Sequence, residues 1–110
     1  AARRFMSART ADDPAFVSVV VLAELAWVLE RAYGFDGDAI HEVFDWVLES
    51  ANIAIERPEL AERAVAQAKA ARAGIADCLI AAISADAGAA STVTFDQPAA
   101  KRIPGMELLK

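Results

Sequence analysis

Three carboxylates stand inside apolar stretches of this chain. Glu24 interrupts the run from Val19 to Leu29, Asp77 opens the run that ends at Ile83, and Asp96 follows Thr92-Val93-Thr94-Phe95. A carboxylate taken out of water without a partner costs several kcal/mol or takes up a proton instead. A chain with acids in three separate apolar elements is expected to gather them around a cation. That pattern points to a metal-dependent hydrolytic site.

The bulk properties narrow the choice further. At 110 residues the chain is read as one domain with one core. Hydrophobic residues make up 56% and charged residues 25%, the balance of a globular protein. Alanine supplies much of the apolar fraction and favours closely packed helices. No apolar run reaches the ~20 residues that span a bilayer. Arg3, Arg4, Phe5 and Met6 are followed by no long apolar stretch, so they do not form a secretory signal. The single cysteine, Cys78, excludes an internal disulfide and fits a reducing cytoplasm. The net charge of −5 argues against holding nucleic acid through a broad basic face. It is compatible with a nuclease, because divalent ions cancel the charge that acids present to a phosphate.

Strand and helix signals alternate along the chain. Ala1 to Thr10 reads as a basic helix entered mid-element, and Ala11 to Pro14 as a polar turn. Ala15 to Ser18 is short and β-compatible, with Ser18 placed to cap a helix from Val19 to Tyr33. Asp36-Gly37-Asp38 predicts a turn and cap before a helix from Ile40 to Ser50. Ile53 to Ile55 predicts a strand, and Pro58 the first turn of a helix reaching Ala73 and stopped by Gly74. The helix from Asp77 to Ala87 is apolar nearly all round and is expected to be buried. Thr92 to Phe95 predicts a strand, Gln97 to Arg102 a short helix or turn, and Met106 to Leu109 an edge strand. This order predicts an α/β fold with a mainly parallel sheet.

In such sheets ligands gather at the carboxyl ends of strands, beside helix starts. Glu24, Asp77 and Asp96 are expected to face one such rim, where their oxygens suit Mg²⁺ or Mn²⁺. Plainer readings exist for two of them: Asp77 as a helix N-cap and Asp96 as a turn residue. Glu24 is harder to explain that way among Val, Leu and Trp. Thr94 and Ser18 are minor candidates, since a hydroxyl beside a carboxylate can orient water. His41 reads as a surface residue with no partner for a zinc site. Cys78 reads as a small core residue, and Trp27 and Trp46 as core or interface. The scattered glycines form no phosphate loop.

These residues carry a resemblance. The segments Ser18 to Leu29, Ile75 to Ala82 and Val93 to Asp96 resemble the second, third and fourth acidic blocks of PIN-domain ribonucleases, most nearly the VapC-type toxins of bacterial toxin–antitoxin pairs. The resemblance implies a three-layer α/β/α sandwich and an Mg²⁺- or Mn²⁺-dependent endoribonuclease. It implies a homodimer held in check by a cognate antitoxin. It assigns Glu24, Asp77 and Asp96 to the metal site, with Thr94 beside the last acid. The family opens with a strand bearing an acid followed by Thr or Ser and Asn, and Asp12 and Asp13 do not match it. The chain is therefore expected to be a single PIN-like domain over 1–110 that is N-terminally incomplete, and to bind metal weakly and cleave RNA slowly by itself. The competing readings are a non-catalytic or truncated module that binds an antitoxin or itself, and a metal-dependent phosphoesterase acting on DNA or nucleotides.

Overall fold

Two capping groups far apart in the sequence fix where the first long helix begins. The Ser18 hydroxyl accepts a hydrogen bond from the Val21 amide at 3.2 Å. Glu56 reaches across from 37 residues downstream, and its Oε1 accepts from the Val19 amide at 3.0 Å. Both satisfy donors that a helix start leaves unpaired, and both place negative or partial negative charge at its positive end. The Glu56 amide in turn donates to the Val17 carbonyl at 3.0 Å. One residue thus locks a strand end to a helix start.

The computed structural model describes residue 4 and residues 7–109. Half of the basic helix expected from Ala1 to Thr10 falls outside the described residues. The elements are β1 (Ala15–Val17), α1 (Val19–Arg31), α2 (Gly37–Glu49), β2 (Ile53–Ile55), α3 (Pro58–Ala71), α4 (Ile75–Asp86), β3 (Thr92–Thr94), α5 (Gln97–Arg102) and β4 (Met106–Leu108). The fold is a mixed α/β arrangement, as the alternating pattern predicts. Both strand pairings are parallel. β1 pairs with β2, Ala15 opposite Ile53 and Val17 opposite Ile55. β3 pairs with β4, Thr92 opposite Met106 and Thr94 opposite Leu108. Among the described residues these are two separate pairs and not one continuous sheet. The amides of Ala15 and Thr92 point into their ladders, to Asn52 and Gly105, so Phe16 and Val93 turn their backbone groups outward. Among the described residues both β1 and β3 therefore keep an open edge.

Small side chains set the helix packing. α3 presents Leu60, Ala61, Ala64, Val65 and Ala68 to the core, and α4 presents Ile75, Ala76, Cys78 and Leu79. The alanines let the two backbones approach closely, and α4 packs on α1 as well. Leu22 and Phe44 fill the centre and are almost wholly buried. Cys78 is a buried free thiol, as expected for a core residue, and burial pushes its pKa up to about 11.

The structure departs from expectation on two helices, α4 and α3. α4 starts at Ile75, two residues before Asp77, so Asp77 lies inside the first turn and Gly74 is the N-cap. α4 is also not enclosed, because Ile80 and Ile83 are each 41% exposed. α3 ends at Ala71 with Arg72 in the left-handed region at φ 54°, so Arg72 rather than Gly74 makes the stop. A non-glycine residue there costs about 1–3 kcal/mol and persists only when its surroundings hold it. Arg102 holds it, donating from Nη1 to the Arg72 carbonyl at 2.9 Å. Among the described residues, no helix is long and apolar enough to cross a membrane.

The packing makes a quantitative expectation. Leu22→Ala should lower stability by about 2–5 kcal/mol, since the site cannot fully collapse around a central void. Glu56→Ala should cost about 1 kcal/mol through the lost cap. Urea denaturation checks both, with a lowered midpoint and unchanged m-value expected for each.

Candidate functional site

The first turn of α4 carries its buried residues on either side of Asp77, which leaves that side chain at the boundary between core and solvent. Asp77 is half-buried and accepts no hydrogen bond among the described residues. Burial raises its pKa above the ordinary 3.8, and the nearby charges of Asp96 and then Glu30 raise it further. Gly74 gives this carboxylate its room. A Cβ at Gly74 would stand 3.3 Å from Asp77 Oδ2, tighter than ordinary contact. Gly74 has an ordinary negative φ of −70°, so this space is what its missing side chain supplies.

Asp96 arrives from the other strand pair. It is the N-cap of α5, and its Oδ1 accepts from the Ala99 amide at 3.0 Å. Its own amide donates to the Thr94 hydroxyl at 3.0 Å. Thr94 thus shapes the turn that presents Asp96. The sequence reads Asp96 as a turn residue; in the structure it caps α5 as well, and its charge still acts on Asp77. The Arg102 bond to Arg72 ties the far end of α5 to the turn that leads into α4. The two carboxylates are fixed on linked supports.

Asp77 and Asp96 line one cavity of about 650 Å³. α1 and the loop after it build the opposite wall with Trp27, Glu30, Arg31 and Phe35. Glu24 does not line this cavity. It lies on the exposed face of α1, centred among Val20, Val21, Trp27 and Val28. The structure therefore brings together two of the three sequence-predicted acids and adds Glu30, which sequence reading passed over. Glu30 stands six residues beyond Glu24, well round the helix, beside Arg31 at a polar helix end, and nothing in that setting distinguishes it from a solvated residue.

His41 differs from its expected surface role. It lines the same cavity from α2, and its Nδ1 is buried without a hydrogen-bond partner among the described residues. Burial lowers its pKa below 6.5, Lys69 lowers it further, and Asp45 and Asp38 oppose. Above pH 6.5 His41 is neutral in folded and unfolded chains alike. Below that pH the unfolded chain takes up the proton first, so this side chain weakens folding on acidification.

The donor chemistry fits a hard divalent ion. Two carboxylates lie close enough to repel, one has no hydrogen bond, and a glycine leaves space beside it. Mg²⁺ is commonly held through one or two carboxylates while it keeps several waters. Among the described residues, no three His, Cys, Asp or Glu side chains converge as a ready-made cage. The fit is to a two-carboxylate seat open to a ligand.

Burial of Asp77, with repulsion from Asp96 second, has a measurable effect on stability. Because the folded state raises the Asp77 pKa, ionisation above that value costs stability at neutral pH. Asp77→Asn should therefore raise the melting temperature at pH 7, by about 1–4 °C. Excess Mg²⁺ should raise the melting temperature of the parent and leave that of Asp77→Asn unmoved. Thermal denaturation with and without the ion checks both.

Comparison with known proteins adds one result. No curated protein and no solved structure gives a match. The family model of the PIN domain matches residues 1–104, nearly the whole chain. With the paired carboxylates on an α/β frame, that match establishes that the chain belongs to the PIN-domain family, whose members are generally nucleases.

Proposed function

We propose that the protein is a metal-dependent endoribonuclease of the VapC type, the toxin of a toxin–antitoxin pair, acting in the cytoplasm. The observation that carries the catalytic part is the Asp77–Asp96 pair in one cavity, one member half-buried and unbonded. A divalent ion bound there, Mg²⁺ or Mn²⁺, would polarise a phosphodiester and lower the pKa of an attacking water. Asp77 and Asp96 would hold it. Glu30 adds negative potential to the same cavity, and Thr94 keeps the Asp96 turn closed through the amide it accepts from. Arg31 offers a positive charge on the opposite wall.

Glu24 enters this reading through the family motif. It occupies the matching position in Ser18 to Leu29, on an exposed helix face.

The apolar face around Glu24 supports the partners. Val20, Val21 and Val28 are all exposed on α1 outside the cavity, more than a free surface helix normally shows. In this reading the face docks a second copy in a homodimer or the cognate antitoxin. The same face favours the second reading, a non-catalytic module that acts by those contacts alone. A small partner that co-purifies, with no EDTA-sensitive RNase activity in the partner-free protein, decides for that reading.

The protein should cleave RNA in Mg²⁺ or Mn²⁺ and stop in EDTA. Asp77→Asn, Asp96→Asn and Glu24→Gln should each lower cleavage by about 100-fold or more while the fold survives. Thr94→Val should cost about 10-fold, as a residue that positions another. Full activity in all three acid variants refutes the assignment. A parallel assay on DNA of the same sequence tests the choice of RNA.

A further inference from the structure

The cavity that joins Asp77 and Asp96 has an aromatic wall that the carboxylates leave unused. Trp27 and Phe35 line it with 42% and 38% of their surfaces exposed. Rings of that size are normally covered, and these two stand open beside an acidic pair. Phe35 is held in place from two sides. Its amide donates to the Leu29 carbonyl at 2.9 Å, and its ring meets Tyr33 with centroids 6.3 Å apart at 59°. That tilted geometry is a favourable aromatic contact and leaves the ring oriented before any ligand arrives. Arg31 lies one turn after Trp27 on α1, lines the same cavity, and makes no ion pair among the described residues.

The cavity thus combines two flat apolar faces, an unpaired guanidinium and a carboxylate pair. Its volume of about 650 Å³ is in the range of small-ligand sites. A ligand that matches all three parts has a planar π-system, an adjoining anion, and a further anion whose charge a divalent ion can offset. A nucleotide within a single strand has these parts in that order. An arginine-bearing peptide matches the carboxylates but meets Arg31 with like charge beside the rings.

We propose that Trp27 and Phe35 form a seat for an unpaired nucleobase, with Arg31 meeting the phosphate next to it, so that the scissile linkage lies toward Asp77 and Asp96. This rests on the nuclease reading above for the identity of the ligand. The seat accepts any base, since every base has a stacking face. It rejects duplex, because a paired base already has neighbours on both faces and must be turned out to enter. The selectivity it confers is for single-stranded segments over helices.

Fluorescence tests the seat on the full chain. The protein has two tryptophans, and Trp46 is 60% exposed on α2 and outside the cavity, so Trp46→Phe leaves Trp27 as the only indole. The probes are a mixed-sequence single-stranded RNA decamer, an abasic sugar–phosphate oligomer of equal length, and the duplex of the same RNA. Ca²⁺ replaces Mg²⁺ to hold back turnover. The decamer should quench Trp27, and the abasic oligomer should not. Trp27→Leu and Phe35→Leu should each weaken decamer binding about 10-fold, and Trp27→Phe should restore most of it. Circular dichroism on each variant confirms that the fold is kept. Equal binding of decamer and abasic oligomer, or an unquenched indole on bound RNA, overturns the seat. Quenching by a short arginine-bearing peptide and not by RNA also overturns it, and assigns the wall to a protein. Cleavage that persists with an unquenched indole removes the seat and leaves the nuclease reading intact. Quenching by RNA with no cleavage of any nucleic acid does the reverse.

Discussion

Burial of the first turn of α4 governs the rest of the molecule. Ile75, Ala76, Cys78 and Leu79 are all nearly inaccessible, and α3 can cover them only because Ala61, Ala64 and Ala68 keep its backbone close. Turning α4 about its axis would expose several of these at about 25 cal/mol for each Å² returned to water. The helix has one stable orientation, and Asp77, placed between Ala76 and Cys78, is carried to the cavity by it. The second carboxylate is held by polar contacts instead. Asp96 caps α5, Thr94 closes its turn, and Arg102 fastens the other end of α5 to the Arg72 carbonyl. A hydrophobic clamp and a hydrogen-bonded one meet at the same cavity.

That convergence runs against stability. Burial and like charge both oppose ionised Asp77, and neutral His41 is held in the same wall with a buried nitrogen unpaired. The left-handed Arg72 beside them adds backbone strain. Unfavourable choices gathered in one place, while the core around Leu22 is regular, are the usual mark of a site maintained for chemistry. The family match gives that reading its context.

Much of this was legible in the sequence, for reasons that differ by element. Ser18, Asp36 and Pro58 mark helix starts by local chemistry that tertiary packing does not override, and α1, α2 and α3 begin beside them. The three-residue strands were readable because β-branched or apolar residues fall between turns. The start of α4 was not, since Ile75 and Ala76 continue an apolar pattern with no capping side chain, and Asp77 looks like a cap. For the site, Asp77 and Asp96 stood out as charges in apolar surroundings. Glu24 stood out by the same rule, yet its helix face is solvent-exposed among the described residues, so its apolar neighbours do not enclose it. Glu30 and His41 enter the cavity through the way α1 and α2 are brought together across a loop, which periodicity along one helix does not encode.

The two strand pairs have a consequence for how the protein opens. Each ladder is two strands wide and three residues long, too little to persist without the helices that back it. The amides of Phe16 and Val93 face away from their partners, so they should trade hydrogen for deuterium almost as freely as a loop does, while the amide of Leu22 in the enclosed turn of α1 is protected until the whole domain opens. The sheet is the follower in this fold. Order passes from the helical core outward, and whatever adds to an open edge of β1 or β3 would find the hydrogen-bonding groups already in line and stiffen the strand from its free side.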